Sequence, residues 1–131
     1  MANINNLEMA SAISADSRIS FKKALFGKKA YYNPTGSEIK PYKREYSTEN
    51  GEIIKKMLSC PSDKLDSFFS SHERPSSTGV GPILVEMCSS SDKQFAAIQA
   101  FTFYDLDYHP IQDMQTYEGE MAKKVISFII G

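Results

Sequence analysis

The sequence predicts an α+β domain, with three to four short N-terminal helices packed on a mainly antiparallel C-terminal sheet of three or more strands. Three observations point there. Residues 95–104, FAAIQAFTFY, are rich in aromatic residues that suit a pleated surface and form a central strand candidate. Residues 48–58 place Ile53, Ile54, Met57 and Leu58 at helical core spacing behind a Ser47 or Thr48 cap, with Glu49 and Glu52 in the first turn. Residues 82–88, PILVEMC, and 125–130, VISFII, supply two further strand candidates.

In chain order, residues 1–16 are polar and small. Asn5 or Asn6 caps a short helix carrying Leu7, Ala10 and Ile13, and residues 1–5 are expected to be mobile in the free protein. A second helix is expected from Asp16 or Ser17 to Gly27, with Phe21, Ala24 and Leu25 on one face and four lysines in or beyond its last turns. Residues 30–46 hold two Pro, one Gly and four Tyr and read as loop-rich, with a turn at Asn33-Pro34-Thr35-Gly36. After the 48–58 helix, Cys60-Pro61 is a stop. Ser62 caps another helix that faces Leu65, Phe68 and Phe69 inward and runs to His72.

A polar loop from Ser70 to Thr78 leads to the first of the C-terminal strands. Ser89 to Lys93 should form a longer hairpin loop. Along 95–104, alternation puts Phe95, Ala97, Gln99, Phe101 and Phe103 on one face and Ala96, Ile98, Ala100, Thr102 and Tyr104 on the other. Both faces are largely apolar, as in a strand covered on two sides or shared with a partner. Residues 118–130 also fit a helix with Met121, Val125, Phe128 and Ile129 on one side. A strand over 123–130 is the preferred reading because VISFII is β-branched and apolar. The 131 residues are thus read as one domain, with the sheet core in 82–131.

Composition limits the function classes. Fifteen basic and sixteen acidic residues leave a formal net charge of −1, which gives no electrostatic footprint for nucleic acid. The basic doublets Lys22-Lys23 and Lys28-Lys29 are explained by a solvated helix end. No apolar run approaches the ~18 residues of a membrane span. Two cysteines are too few for a disulfide framework, so a soluble, cytoplasmic protein is expected, with export lacking a cleaved signal left open.

Two constellations could carry chemistry. Asp105, Asp107 and His109 form D-x-D-x-H; if the strand continues that far, their side chains share a face and offer oxygen and nitrogen ligands to a divalent ion. A solvated strand end is the simpler account. Cys60 or Cys88 with His72 or His109 would make an imidazole-activated thiol nucleophile, although both cysteines sit where small buried hydrophobes are common. Nucleophile-elbow, phosphate-loop, dinucleotide and H-E-x-x-H patterns are missing from the sequence, and no cofactor is expected.

Arg74-Pro75-Ser76-Ser77 with Ile83-Leu84-Val85-Glu86 and Ser89 to Asp92 resembles a segment of the tube proteins of contractile injection systems. The likeness is confined to residues 74–92, and the preceding region reads helical where that family's β-barrel has strands, so it is not extended to fold or activity. The Ser- and Asn-rich start resembles in composition the uncleaved secretion signals of injected bacterial effectors.

The functional expectation is a non-catalytic interaction protein, an inhibitor, immunity protein, adaptor or assembly subunit, binding another protein or itself. Its interface residues would be Tyr31, Tyr32, Tyr42 and Tyr46, since Tyr offers a rigid body with a polar tip. The alternative is a small hydrolase or injected effector using the Cys/His pair or the Asp/Asp/His set.

Overall fold

The computed structural model of the chain describes residues 10–77 and 79–130. The first helix, α1 (Ala10–Ser14), leads into strands β1 (Ile19–Lys23), β2 (Lys28–Tyr32) and β3 (Ser37–Tyr46). Helix α2 (Thr48–Ser59), a 3₁₀ turn over Ser62–Lys64 and helix α3 (Leu65–Ser71) follow. The chain then returns through β4 (Ile83–Ser90), β5 (Phe95–Tyr104), β6 (Asp107–Pro110) and β7 (Gln115–Glu118), and α4 (Gly119–Ile130) completes it. The strands form one curled antiparallel sheet in the order β1-β2-β3-β4-β5-β6, with β7 pairing β5 beside β6.

This order corrects the expected one. The class is α+β-like, but the helices do not precede the sheet: its first three strands are built from residues 19–46. The helix expected from Asp16 to Gly27 is a β-hairpin, because Ile19, Phe21 and the lysines alternate and Gly27, at φ 82°, closes a turn in which Ala24 N–H donates to its carbonyl at 2.9 Å. A glycine in the left-handed region serves a hairpin as well as a helix end, and spacing over so few residues does not separate them. The lysines lie on an edge hairpin, where they oppose edge-to-edge pairing.

Residues 30–46, expected to be loop-rich, hold the end of β2, a tight turn and the ten-residue β3. Pro41 is tolerated because β2 covers only residues 37–39 of β3, so the proline sits where β3 has lost its second neighbour. The stretch 123–130, preferred as a strand, is the last two-thirds of α4, whose Ala122, Val125, Ile126 and Ile129 recur at helical spacing and are buried. Tertiary packing overrides the β propensity of VISFII there. The expectations that fall on residues 1–9 lie outside the described residues; Ile13 in α1 is fully buried.

Other elements match their expected positions. Ser47 caps α2 by accepting from Asn50 N–H at 3.2 Å, and β4 and β5 pair in register from Ile83↔Thr102 to Ser89↔Ala96. Their connection is a four-residue loop over 91–94, longer than a tight two-residue turn as expected, with Ser89 and Ser90 ending β4. Buried Ser90 Oγ accepts from the Gln94 and Phe95 N–H groups at 3.0 Å and donates to Asp92.

The two sheet faces bury separate cores. On one, Tyr46, Ile83, Val85, Met87, Ala96, Ile98 and Ala100 meet Ile54, Met57 and Leu58 of α2, Leu65 and Phe68 of α3, and the apolar stripe of α4. On the other, the β1–β2 hairpin curls over so that Ile19, Ala30, Tyr32 and Ile39 pack with Cys88, Phe95, Ala97 and Ile13. A polar seam holds that curl: Arg18 bonds Asp16 and Glu118, Tyr32 OH donates to Glu118, and the Tyr32 ring stacks on Phe95 at 5.1 Å. Farther along the same concave face, Lys43 and Gln99 flank the buried Glu86, with Lys43 Nζ 3.9 Å from its carboxylate.

Candidate functional site

The helical side of the molecule carries two adjoining hollows. α3 is too short to bury a full face, so its aromatic residues lean on α4: Phe68 and Phe69 lie 5.8 and 5.1 Å from the Phe128 ring. Where the two helices diverge they leave a cleft of about 530 Å³ with Phe69 and Phe128 as its floor. Its rim holds Arg74, Lys123 and Lys124 against one carboxylate, Asp66. Lys124 Nζ reaches Asp66 at 2.8 Å and Lys123 reaches Glu120 at 3.2 Å, but these are exposed pairs that hold their charges weakly.

Arg74 also lines a second hollow of about 350 Å³, bounded by Tyr42, Arg44 and Tyr46 of β3, by the 75–77 segment and by Ile129 and Ile130 at the end of α4. Buried Pro75 and the Ser77 hydroxyl, which donates to Glu45 O at 3.1 Å and accepts from Gly79 N–H at 3.3 Å, tie this segment to β3. The Arg44 guanidinium lies 5.5 Å from the centre of the Tyr42 ring, a cation–π arrangement that sets it at the rim. Burial raises the pKa of the Tyr46 hydroxyl well above the usual phenol range, and a hydrogen bond with Tyr42 adds to the rise; Arg44 and Arg74 pull in the opposite direction. Both guanidiniums therefore bear on the same phenol.

The residues singled out in the sequence are dispersed. Tyr32 and Tyr46 are buried in opposite cores, Tyr42 is half-buried against the helical core, and Tyr31 packs under Lys22 on the edge hairpin. The four do not form one surface. Cys60 ends α2 on the helical side, its thiol donating to Pro61 O at 3.5 Å, whereas Cys88 is buried in the opposite core. Burial, with the nearby Glu86 charge, pushes the Cys88 thiol up to about 12. His72 stacks on Phe68 at the end of α3, and His109 stacks on Tyr104 at 3.9 Å between ring centres. Neither thiol is hydrogen-bonded to an imidazole among the described residues.

The D-x-D-x-H set is divided by a turn. Asp105 and Leu106 both have positive φ, 53° and 65°, and reverse the chain, so Asp105 sits in a hairpin turn while Asp107 and His109 stand on β6. Asp107 accepts from the N–H of Tyr108 at 2.9 Å. No group of three or more His, Cys, Asp or Glu side chains is arranged to hold a metal ion among the described residues. No helix among them is long and apolar enough to cross a membrane.

Arg44 and Arg74 were not legible as a pair, since thirty positions separate them and only the return of the chain after α3 brings them together. Comparison with protein-family models, curated proteins and solved structures returned no match. The stretch directly before residue 74 is helical, as expected, although strands occur at 19–46, and no family model supports the local tube-protein likeness.

Proposed function

We propose that this chain is a non-catalytic protein-interaction protein that takes an extended segment of another protein along the groove between α3 and α4. An apolar side chain of that segment fills the cleft, and acidic side chains meet the rim. The observation that carries this reading is the cleft itself: an aromatic floor wide enough for an aromatic or aliphatic anchor, rimmed by three cations and one carboxylate. Interface energy concentrates in such anchored pockets, and complementary charge sets the orientation of docking. The net charge of the whole chain is −1, so the positive rim is a local feature.

The test is to pan a peptide library against the wild-type chain and a Ser127→Trp variant. Ser127 is exposed on α4 and lines the cleft, so the indole blocks it from outside the core. Enriched peptides should share an apolar residue flanked by Asp or Glu and lose at least about tenfold in affinity on the blocked variant, about 1.4 kcal/mol. Peptides that bind both proteins equally would sink the reading. Self-association that Ser127→Trp abolishes, seen by light scattering, would make the occupant a second copy and overturn the hetero-partner.

A further inference from the structure

Resting on that interaction reading, we propose that the hollow across Arg74 is a phosphoryl-binding subsite that receives a phosphorylated side chain of the docked segment. The chain has three arginines. Arg18 is spent on the seam, held by Asp16 and Glu118. The other two, Arg44 and Arg74, line this one hollow, and among the described residues no carboxylate lies within ion-pair distance of either. Two guanidiniums gathered without a counter-ion repel each other, and an anion between them adds two attractions that outweigh that repulsion.

The chemistry of the lining narrows the anion. A single guanidinium fork satisfies the two oxygens of a carboxylate, whereas a phosphoryl group presents three oxygens and nearly two charges and makes use of both arginines. The Tyr42 and Ser76 hydroxyls add neutral donors at the same wall. Arg44 is already oriented by the Tyr42 ring, and Arg74 stands three residues after the end of α3 and directly before the buried Pro75, so neither fork has to be gathered from a fully mobile chain. Because Arg74 borders both hollows, a segment anchored on Phe69 and Phe128 delivers a neighbouring side chain into the second one.

The experiment titrates the full chain with phenyl phosphate, inorganic phosphate and benzoate at fixed ionic strength, following the arginine Nε–H signals by NMR. Phenyl phosphate should bind saturably, shift the Arg44 and Arg74 signals, and bind at least tenfold more tightly than benzoate. Arg44→Lys and Arg74→Lys, which keep the charge and lose the fork, should each weaken binding tenfold or more with unchanged melting temperature. Equal response to phenyl phosphate and benzoate, or full affinity in the lysine variants, would overturn the subsite. Binding of phenyl phosphate no tighter than inorganic phosphate would assign the hollow to a free anion and overturn the carried group. The two readings fail separately: Ser127→Trp should leave phenyl phosphate binding intact, so peptide capture without phosphate binding removes only the subsite, and phosphate binding without peptide capture removes only the docking groove.

Discussion

Gly51 sets local propensity against tertiary packing, and the structure decides the sign. It lies inside α2, where replacing Gly by Ala ordinarily stabilises a helix by about 1 kcal/mol. A Cβ built at Gly51 would sit 2.5 Å from Ile83 Cγ1 and 2.8 Å from both Ile83 Cβ and Cγ2. Ile83 cannot swing away. Its Cβ is fixed to a β4 backbone paired on both sides, to Tyr46 of β3 and Thr102 of β5. The helix must lift instead, and overpacking of this kind costs about 1–3 kcal/mol. Gly51→Ala should therefore leave the protein less stable by about 0–2 kcal/mol, the difference between those two terms. Urea denaturation measures it, and a cycle with Ile83→Ala isolates the contact: truncating Ile83 should cost at least about 1 kcal/mol less in the Gly51→Ala background than in the wild type. A Gly51→Ala variant that gains the full helix-propensity increment, with no coupling to Ile83, would show that α2 does not approach β4 as described.

Further expectations follow from the turns, thiols and seam. Leu106 occupies a left-handed position at the β5–β6 turn and is 90% exposed, so Leu106→Gly relieves strain and surrenders little packing; thermal or urea melts should show a gain of about 0.5–1 kcal/mol. Half-buried Cys60 should react with a thiol reagent at pH 8 while Cys88, buried and raised to about 12, stays unmodified until unfolding, with mass spectrometry of peptides as the readout. The hydrogen bond from Tyr32, with help from Arg18, holds the Glu118 carboxyl below its usual range. A depressed folded value means the contribution is present above the unfolded pKa of about 4.3 and is lost as pH falls through the folded one. The stability gap between wild type and Glu118→Gln should thus stay flat from pH 7 to about 5 and close below about pH 4; a gap that persists at pH 2 would mean that packing at Glu118, not its charge, is what matters.

What could be read from the sequence divides along physical lines. The α2 helix was legible because cap, stop and core spacing agree in it; the Ser62–His72 segment was legible from its core spacing alone, since Ser62 does not cap it, and β4 and β5 from their apolar and aromatic runs. The strands of residues 19–46 were not legible, although the turn at Asn33–Gly36 was. In β1, two apolar residues and two lysines fit a helical face as readily as an edge strand, and in β3 a proline and several tyrosines resemble a loop until β4 supplies the partner that makes them a strand. The error in α4 has the opposite origin. VISFII is strand-like in composition, but a helical period was also present in the sequence; the residues facing the core are those at helical spacing, and Lys123, Lys124 and Ser127 face out.

The candidate site was hidden for a related reason. Sequence reading looks for charges that are close in number, and so it weighed Lys22-Lys23 and Lys28-Lys29, which serve a sheet edge, and the D-x-D-x-H run, which a two-residue turn splits. The two arginines that share a hollow are Arg44, near the end of β3, and Arg74, after a short helix. Each alone is an ordinary surface arginine. What makes them a candidate site is that α3 and α4 close off one side of the β3 surface while no carboxylate among the described residues pairs with either guanidinium, in a protein that neutralises Arg18 twice over. Two cations lining one hollow favour an anion between them, more strongly where the walls of the hollow exclude water. The proposed anion-binding role thus rests on a relation between strand and helix that no window of the sequence contains.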